Sequence, residues 1–223
     1  MTPLQKLLHS FRQAAVSERE KGTYFEELVL AYLANEALYR DLYHEVLPYA
    51  DWAKRQGLDG RDTGIDLVAT TQTGETHVIQ CKFYAADYRV QKSDLDSFFT
   101  ASGKRPFSHR LIICTTNDWG EHAEDALRDQ QPPVSKIDLH DLENSQIDWG
   151  RYQPQAPVAL KIKKELRPHQ VRAVNAVISG LSQADRGKLL MACGTGKTFT
   201  SLIHLPLHRS HQPSPAGTRL GRF

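Results

Sequence analysis

Asp66, Gln80 and Lys82 are the residue types that metal-assisted phosphodiester hydrolysis needs. Such hydrolysis requires hard oxygen donors for Mg²⁺ and a cation near the attacked phosphate. The metal polarises the phosphate and acidifies water. An aspartate carboxylate, a glutamine carbonyl and a lysine ammonium on one surface meet that need. Residues two apart in a strand share a face, so Gln80 and Lys82 point together while Cys81 points the other way. If the intervening turn is centred on Thr73, Asp66 lies across from Gln80. A slip of one residue would break that arrangement. A carboxylate from Phe25-Glu26-Glu27 would complete the metal site. Glu26 is the favoured candidate, and spacing alone leaves Glu27 open. The catalytic set is then Asp66, Gln80, Lys82 and Glu26, with Asp66, Gln80 and Glu26 as the Mg²⁺ ligands.

A second, unrelated constellation is Ala192-Cys193-Gly194-Thr195-Gly196-Lys197-Thr198. A glycine-rich turn between a strand and a helix presents backbone N–H groups to phosphate oxygens. Gly194, Thr195 and Gly196 form that turn. Lys197 would reach the β and γ phosphates of ATP, and Thr198 would hold Mg²⁺ through its hydroxyl. The general pattern wants glycine where this chain has Met191.

These residues need an α/β frame. Residues 4–20 and 23–39 carry helical spacing, punctuated by Gly22, and a short strand follows at Leu42–Leu47. Ala53–Asp62 reads as a loop. Ile65–Thr71, the turn at Gln72-Thr73-Gly74 and Thr76–Phe83 read as a β-hairpin. Ser93-x-x-Asp96 has the layout of a capping box. Its helix would carry Leu95, Phe98 and Phe99 inward. A buried strand at Leu111–Thr115, a helix at Glu121–Gln130 and a strand at Val134–Leu139 complete the domain. The predicted division is a nuclease domain over 1–145, a proline-containing linker over 146–165, a second domain's start over 166–202 and a tail over 203–223. In the second domain, Arg167–Ser182 should be a helix with Pro168 in its first turn. Gly187–Ala192 should be a strand entering the phosphate loop.

Composition bounds the reading. The chain has 223 residues and a formal net charge of +2, which says nothing by itself about a nucleic-acid partner. No stretch approaches the roughly 20 apolar residues of a membrane helix. Cys81, Cys114 and Cys193 form no Cys-x-x-Cys pair, which fits a reducing cytoplasm. Lys54, Arg55, Arg61, Arg89, Lys92, Lys104 and Arg105 flank the proposed centre in sequence. They would contact phosphate only if clustered in space. Trp52, Trp119 and Trp149 read as packing residues. His204, His208 and His211 are interrupted by Pro206 and read as unstructured tail.

Gly22-x-x-Phe25-Glu26, Gly64-Ile65-Asp66-Leu67 and Ile79-Gln80-Cys81-Lys82 together resemble the Mrr-like branch of the PD-(D/E)xK nucleases. The resemblance implies a restriction-endonuclease-like mixed sheet flanked by helices and Mg²⁺-dependent cutting of double-stranded DNA. Gln80 replaces the acidic residue of the general pattern, which that branch tolerates at the loss of one negative charge. Met191-Ala192-x-Gly194-x-Gly196-Lys197-Thr198 resembles motif I of superfamily 2 helicases. Leu166-Arg167-Pro168-His169-Gln170 resembles the Q-motif that precedes it, so Gln170 would read the adenine edge. This implies the first helix–strand–P-loop unit of a RecA-like domain.

The order of these pieces resembles the amino-terminal part of the type ISP restriction-modification enzymes. That resemblance implies a nuclease domain, truncated within an ATP-driven translocase. Transient self-association would serve double-strand cleavage. No acidic residue follows Asp185. ATP hydrolysis by this chain alone is therefore not expected, and a truncation or frame change near Leu202 is. The rival readings are a non-catalytic DNA-binding module, a regulatory module of a helicase or ATPase, and a decayed gene product.

Overall fold

The computed structural model describes residues 1–60, 64–161, 166–184, 186, 188–192, 195, 200 and 201. It comprises two compact units, Met1–Lys161 and Ile162–Phe223.

The first unit opens on α1 (Pro3–Ala14), where the Thr2 hydroxyl accepts the Gln5 N–H and the Gln5 side chain accepts the Thr2 N–H. The predicted first helix, 4–20, is broken: Ser17 accepts the Glu20 N–H and starts α2 (Glu18–Asn35). α2 runs straight through Gly22, which therefore does not punctuate. An interior glycine costs about 0.5–1 kcal/mol relative to alanine. Burying Phe25, Leu28, Val29, Tyr32 and Leu33 on one face outweighs it. A further helix, α3 (Ala37–Leu42), leads into the sheet.

The sheet is mixed, as the α/β reading required. Its five strands lie in the order β1 (Tyr43–Pro48), β2 (Leu67–Thr71), β3 (Thr76–Lys82), β4 (Phe107–Cys114) and β5 (Val134–Ile137). β1, β2 and β3 pair antiparallel; β3, β4 and β5 pair parallel. The parallel pairs are bridged by α5 (Ser93–Ser102) and α6 (Glu121–Ala126). α4 (Tyr49–Arg55) occupies part of the stretch predicted to be loop. Each sheet face carries its own apolar core. α1 and α2 cover Leu67, Ile79, Leu111 and Ile113. Trp52, Leu95, Phe98 and Ala123 cover Val68, Val78 and Ile112.

Three local expectations fail for identifiable reasons. Ser93 is the first residue of α5 and its cap is Lys92, so no capping box forms. Asp96 instead pairs with Lys92 at 2.6 Å, and Asp94 accepts the Gln91 N–H at 2.7 Å. The chain after β5 turns into α7 (Leu139–Asn144), capped by Asp138. Of the stretch 146–165 read as linker, residues 146–161 belong to the first unit. Ile147, Trp149 and Tyr152 are 0%, 4% and 9% exposed, and a chain burying such side chains does not stay extended. Asp148 N–H donates to Ala159 O at 2.8 Å and Lys161 N–H to Gln146 O at 2.7 Å.

The second unit holds α8 (Pro168–Leu181), with Pro168 in its first turn as predicted. The expected strand does not form among the described residues Lys188–Ala192. A strand needs a paired neighbour, and no described residue of this unit is in one. The tail at 203–223, with His204, His208 and His211, lies outside the described residues. Among the described residues, no helix is long and apolar enough to cross a membrane.

His77 and His109 pack against each other across β3 and β4, with ring centroids 4.9 Å apart and planes tilted by 40°. His77 Nδ1 lies 3.2 Å from the Tyr43 hydroxyl, and His109 Nε2 lies 3.1 Å from Ser135 Oγ. Burial lowers both imidazole pKa values, and His109 lowers that of His77 further; Glu75 opposes both. The folded state therefore prefers the neutral rings. Their contribution is complete above the unfolded value of roughly 6.5 and is lost as pH falls below it. The urea midpoint should fall between pH 7.5 and 5.5, and His109→Gln should flatten that slope. An unchanged slope would remove the pair as its cause.

Candidate active site

The hairpin register is Leu67↔Ile79, Val68↔Val78, Ala69↔His77 and Thr70↔Thr76, symmetric about Thr73. Asp66 sits one step before β2, where its N–H donates to Ile79 O at 3.0 Å and its carbonyl accepts the Tyr49 N–H at 2.8 Å. Its half-buried carboxylate turns onto β3: Oδ2 accepts the Cys81 N–H at 2.6 Å. A charge-assisted bond of this length fixes the carboxylate beside the Gln80–Lys82 segment.

Gln80 is 2% exposed and follows Val78 on the α5 side of the sheet. Its Nε2 donates to Gly64 O at 3.0 Å, while its Oε1 is buried without a hydrogen-bond partner. A buried oxygen in that state costs about 1–3 kcal/mol. Lys82, two residues on, is half-buried at the end of β3.

Glu26 approaches from α2. It follows Phe25, whose ring lies 5.5 Å from Phe83. Cys81 reports where the charges lie. Burial pushes its thiol well above the usual range, the Asp66 and Glu26 carboxylates push it further, and Lys82 opposes them. The thiol is thus neutral at pH 7 and suited neither to nucleophilic attack nor to thiolate ligation. Glu27, the alternative from spacing, acts instead on Tyr24 and Tyr152. Asp66 and Glu26 both act on the Cys81 thiol, and Glu27 is not among the charges that do. Among the described residues no group of three His, Cys, Asp or Glu side chains could hold a metal. The third oxygen of this set is an amide, from Gln80.

Two cations not singled out from sequence stand over Phe83, the residue after β3. Arg12 Nη2 donates to Tyr84 O at 2.7 Å, with its guanidinium 4.7 Å from the Phe83 ring centroid. Lys21 Nζ lies 5.8 Å from the same centroid. Nothing in their spacing signals this, because α1 and α2 meet β3 only through the tertiary fold. Of the basic residues singled out from sequence, three are engaged in surface ion pairs. Arg55 pairs with Glu45 at 2.9 Å, Arg89 with Asp118 at 3.5 Å and Lys92 with Asp96. Arg61 lies outside the described residues. Trp52, Trp119 and Trp149 are packing residues, each at most 7% exposed. A depression of about 560 Å³ beside Leu33, Tyr43 and Val46 is lined by none of the four candidates.

In the second unit, Gln170 is 5% exposed. Its Oε1 accepts the Arg167 N–H at 2.9 Å and its Nε2 donates to Thr195 O at 3.0 Å. His169 Nε2 lies 3.2 Å from the same carbonyl. The Q-motif-like segment is thus tied to Thr195. Gly194, Gly196, Lys197 and Thr198 lie outside the described residues.

A restriction endonuclease family model matches residues 34–159. A type III restriction enzyme res subunit model matches residues 163–214. Among solved structures, the chain is similar to an ATP-dependent type ISP restriction-modification enzyme, LlaBIII, bound to DNA. The TM-score is 0.72 and the identity 36%, over 89% of this chain and 13% of that one. The chain thus spans about an eighth of that enzyme's length. A second structure, the MspJI restriction endonuclease in complex with a 27-mer oligonucleotide, matches with a TM-score of 0.37. Its identity is 15%, over 63% of this chain and 29% of that one. No curated protein matches the chain.

Proposed function

The chain belongs to the restriction endonuclease family, and from that premise we propose that its first unit is a Mg²⁺-dependent endonuclease acting on double-stranded DNA. One observation carries the metal assignment. A buried amide oxygen, Gln80 Oε1, stands without a hydrogen-bond partner on the strand that fixes the Asp66 carboxylate. A hard cation is the partner that such an oxygen and carboxylate fit.

Asp66, Gln80 and Glu26 would hold the metal. When bound, it would supply polarisation of the scissile phosphate and acidification of water. The chain's own groups do the positioning. The Cys81 backbone N–H aims Asp66, the Gly64 carbonyl holds Gln80, and the Lys82 ammonium neutralises charge building on the attacked phosphate. Arg12 and Lys21 extend positive charge along the α1–α2 side, where DNA backbone would run. We propose a cytoplasmic location, where such DNA would be met.

For the second unit we propose ATP binding through Gln170, Gly194, Thr195, Gly196, Lys197 and Thr198, as part of a longer translocating enzyme. The similarity to LlaBIII supports this reading. Cutting of both strands would then require two copies of the nuclease unit meeting on DNA.

The test is conversion of supercoiled plasmid by the purified chain with Mg²⁺. Nicking that EDTA abolishes, and that Lys82→Ala lowers by about 10²–10³-fold, is the expected result. Salt-sensitive DNA binding with no cutting in Mg²⁺ or Mn²⁺ would favour the non-catalytic module instead.

A further inference from the structure

We propose that Gly64 is a positioning residue whose carbonyl makes position 80 specific for glutamine. It captures the amide nitrogen and leaves Oε1 as the only atom of Gln80 that can ligate. This rests on the reading of Gln80 as a metal ligand; the anchoring itself does not.

The orientation of a glutamine amide is set by what its two ends meet. At one end, Nε2 donates to Gly64 O at 3.0 Å. Turning the amide over would press Oε1 against that carbonyl, two acceptors with no proton between them. The direction of the Gly64 carbonyl is in turn set by its backbone, which has a φ of +81°. Glycine adopts that left-handed conformation without strain. A Cβ there would sit 3.5 Å from Ser97 Oγ and 3.9 Å from Gln80 Nε2. α5 thus backs the turn that holds the amide.

The consequence runs against charge counting. Gln80→Glu would restore the acidic residue of the general nuclease pattern and add a negative charge for the metal. It would also place a buried anionic oxygen against the Gly64 carbonyl, in a site 2% exposed. An ionised carboxylate without a donor is costly there. In this chain the glutamine is therefore the working residue, not a weakened acid.

The experiment uses the whole chain at pH 8 in EDTA, followed by a Mg²⁺ titration. Gln80→Glu is expected to lower the metal-free Tm by about 5 °C or more. Gln80→Met, of similar shape and without charge, should lower it less. In wild type, the side-chain NH₂ protons of Gln80 should exchange far more slowly than those of exposed glutamines. Mg²⁺ should shift the Gln80 side-chain carbonyl carbon while leaving that protection intact. A Gln80→Glu Tm equal to wild type, an equal loss in Gln80→Met, or fast-exchanging NH₂ protons would each overturn the proposal. Protected protons with a carbonyl carbon indifferent to Mg²⁺ would uphold the Gly64 anchor and remove Gln80 from the metal site.

Discussion

Asp66→Asn is expected to keep the fold and to lower plasmid cleavage by roughly 10³-fold or more. The amide oxygen of asparagine can still accept the Cys81 N–H that now meets Asp66 Oδ2 at 2.6 Å. What disappears is the anionic charge, and with it the strongest attraction the site offers a divalent cation. Alanine is the poorer choice, because it leaves the Cys81 N–H without that acceptor and mixes a stability cost into the rate. Tm and initial nicking rate should be measured on the same preparation. An unchanged Tm with wild-type nicking would show that Asp66 holds no metal.

The second large effect is on stability. A fragment ending at Ser145, the boundary read from sequence, should fail to fold, whereas one ending at Lys161 should unfold cooperatively. The shorter fragment lacks Ile147, Trp149 and Tyr152, which fill the core under α1 and α2. It also lacks the Trp149 indole N–H that Leu142 O accepts at 2.7 Å. Removing three such side chains costs on the order of 10 kcal/mol, as much as an entire domain's stability of about 5–15 kcal/mol. Circular dichroism and urea titration of the two fragments would decide it. Equal midpoints would mean that 146–161 only rests on the surface.

The chemistry was legible because it sits in short, local patterns. Strand alternation put Gln80 and Lys82 on one face. The Gln72-Thr73-Gly74 turn set the register about Thr73, bringing Asp66 alongside β3, as the observed pairing also has it. Helix ends were less legible. Ser17 and Asp138 cap helices that apolar periodicity did not delimit, and the capping layout at Ser93 lost Asp96 to Lys92.

The rest depends on contacts between residues far apart in the chain. Glu26 and Glu27 are equivalent in spacing. They part only because α2 lays one toward Cys81 and the other toward Tyr152. Arg12 from α1 and Lys21 from α2 meet over the Phe83 ring that follows β3. Residues 146–165 read as linker on Pro154 and Pro157. Three apolar side chains spaced for no regular element bury themselves all the same. Residue type and local spacing set which groups were present and which neighbours along a strand shared a face. Long-range packing determined which carboxylate, which cations and which amide oxygen those groups would meet. Periodicity encodes direction along one element, while the distance between two elements is fixed only by the core they share.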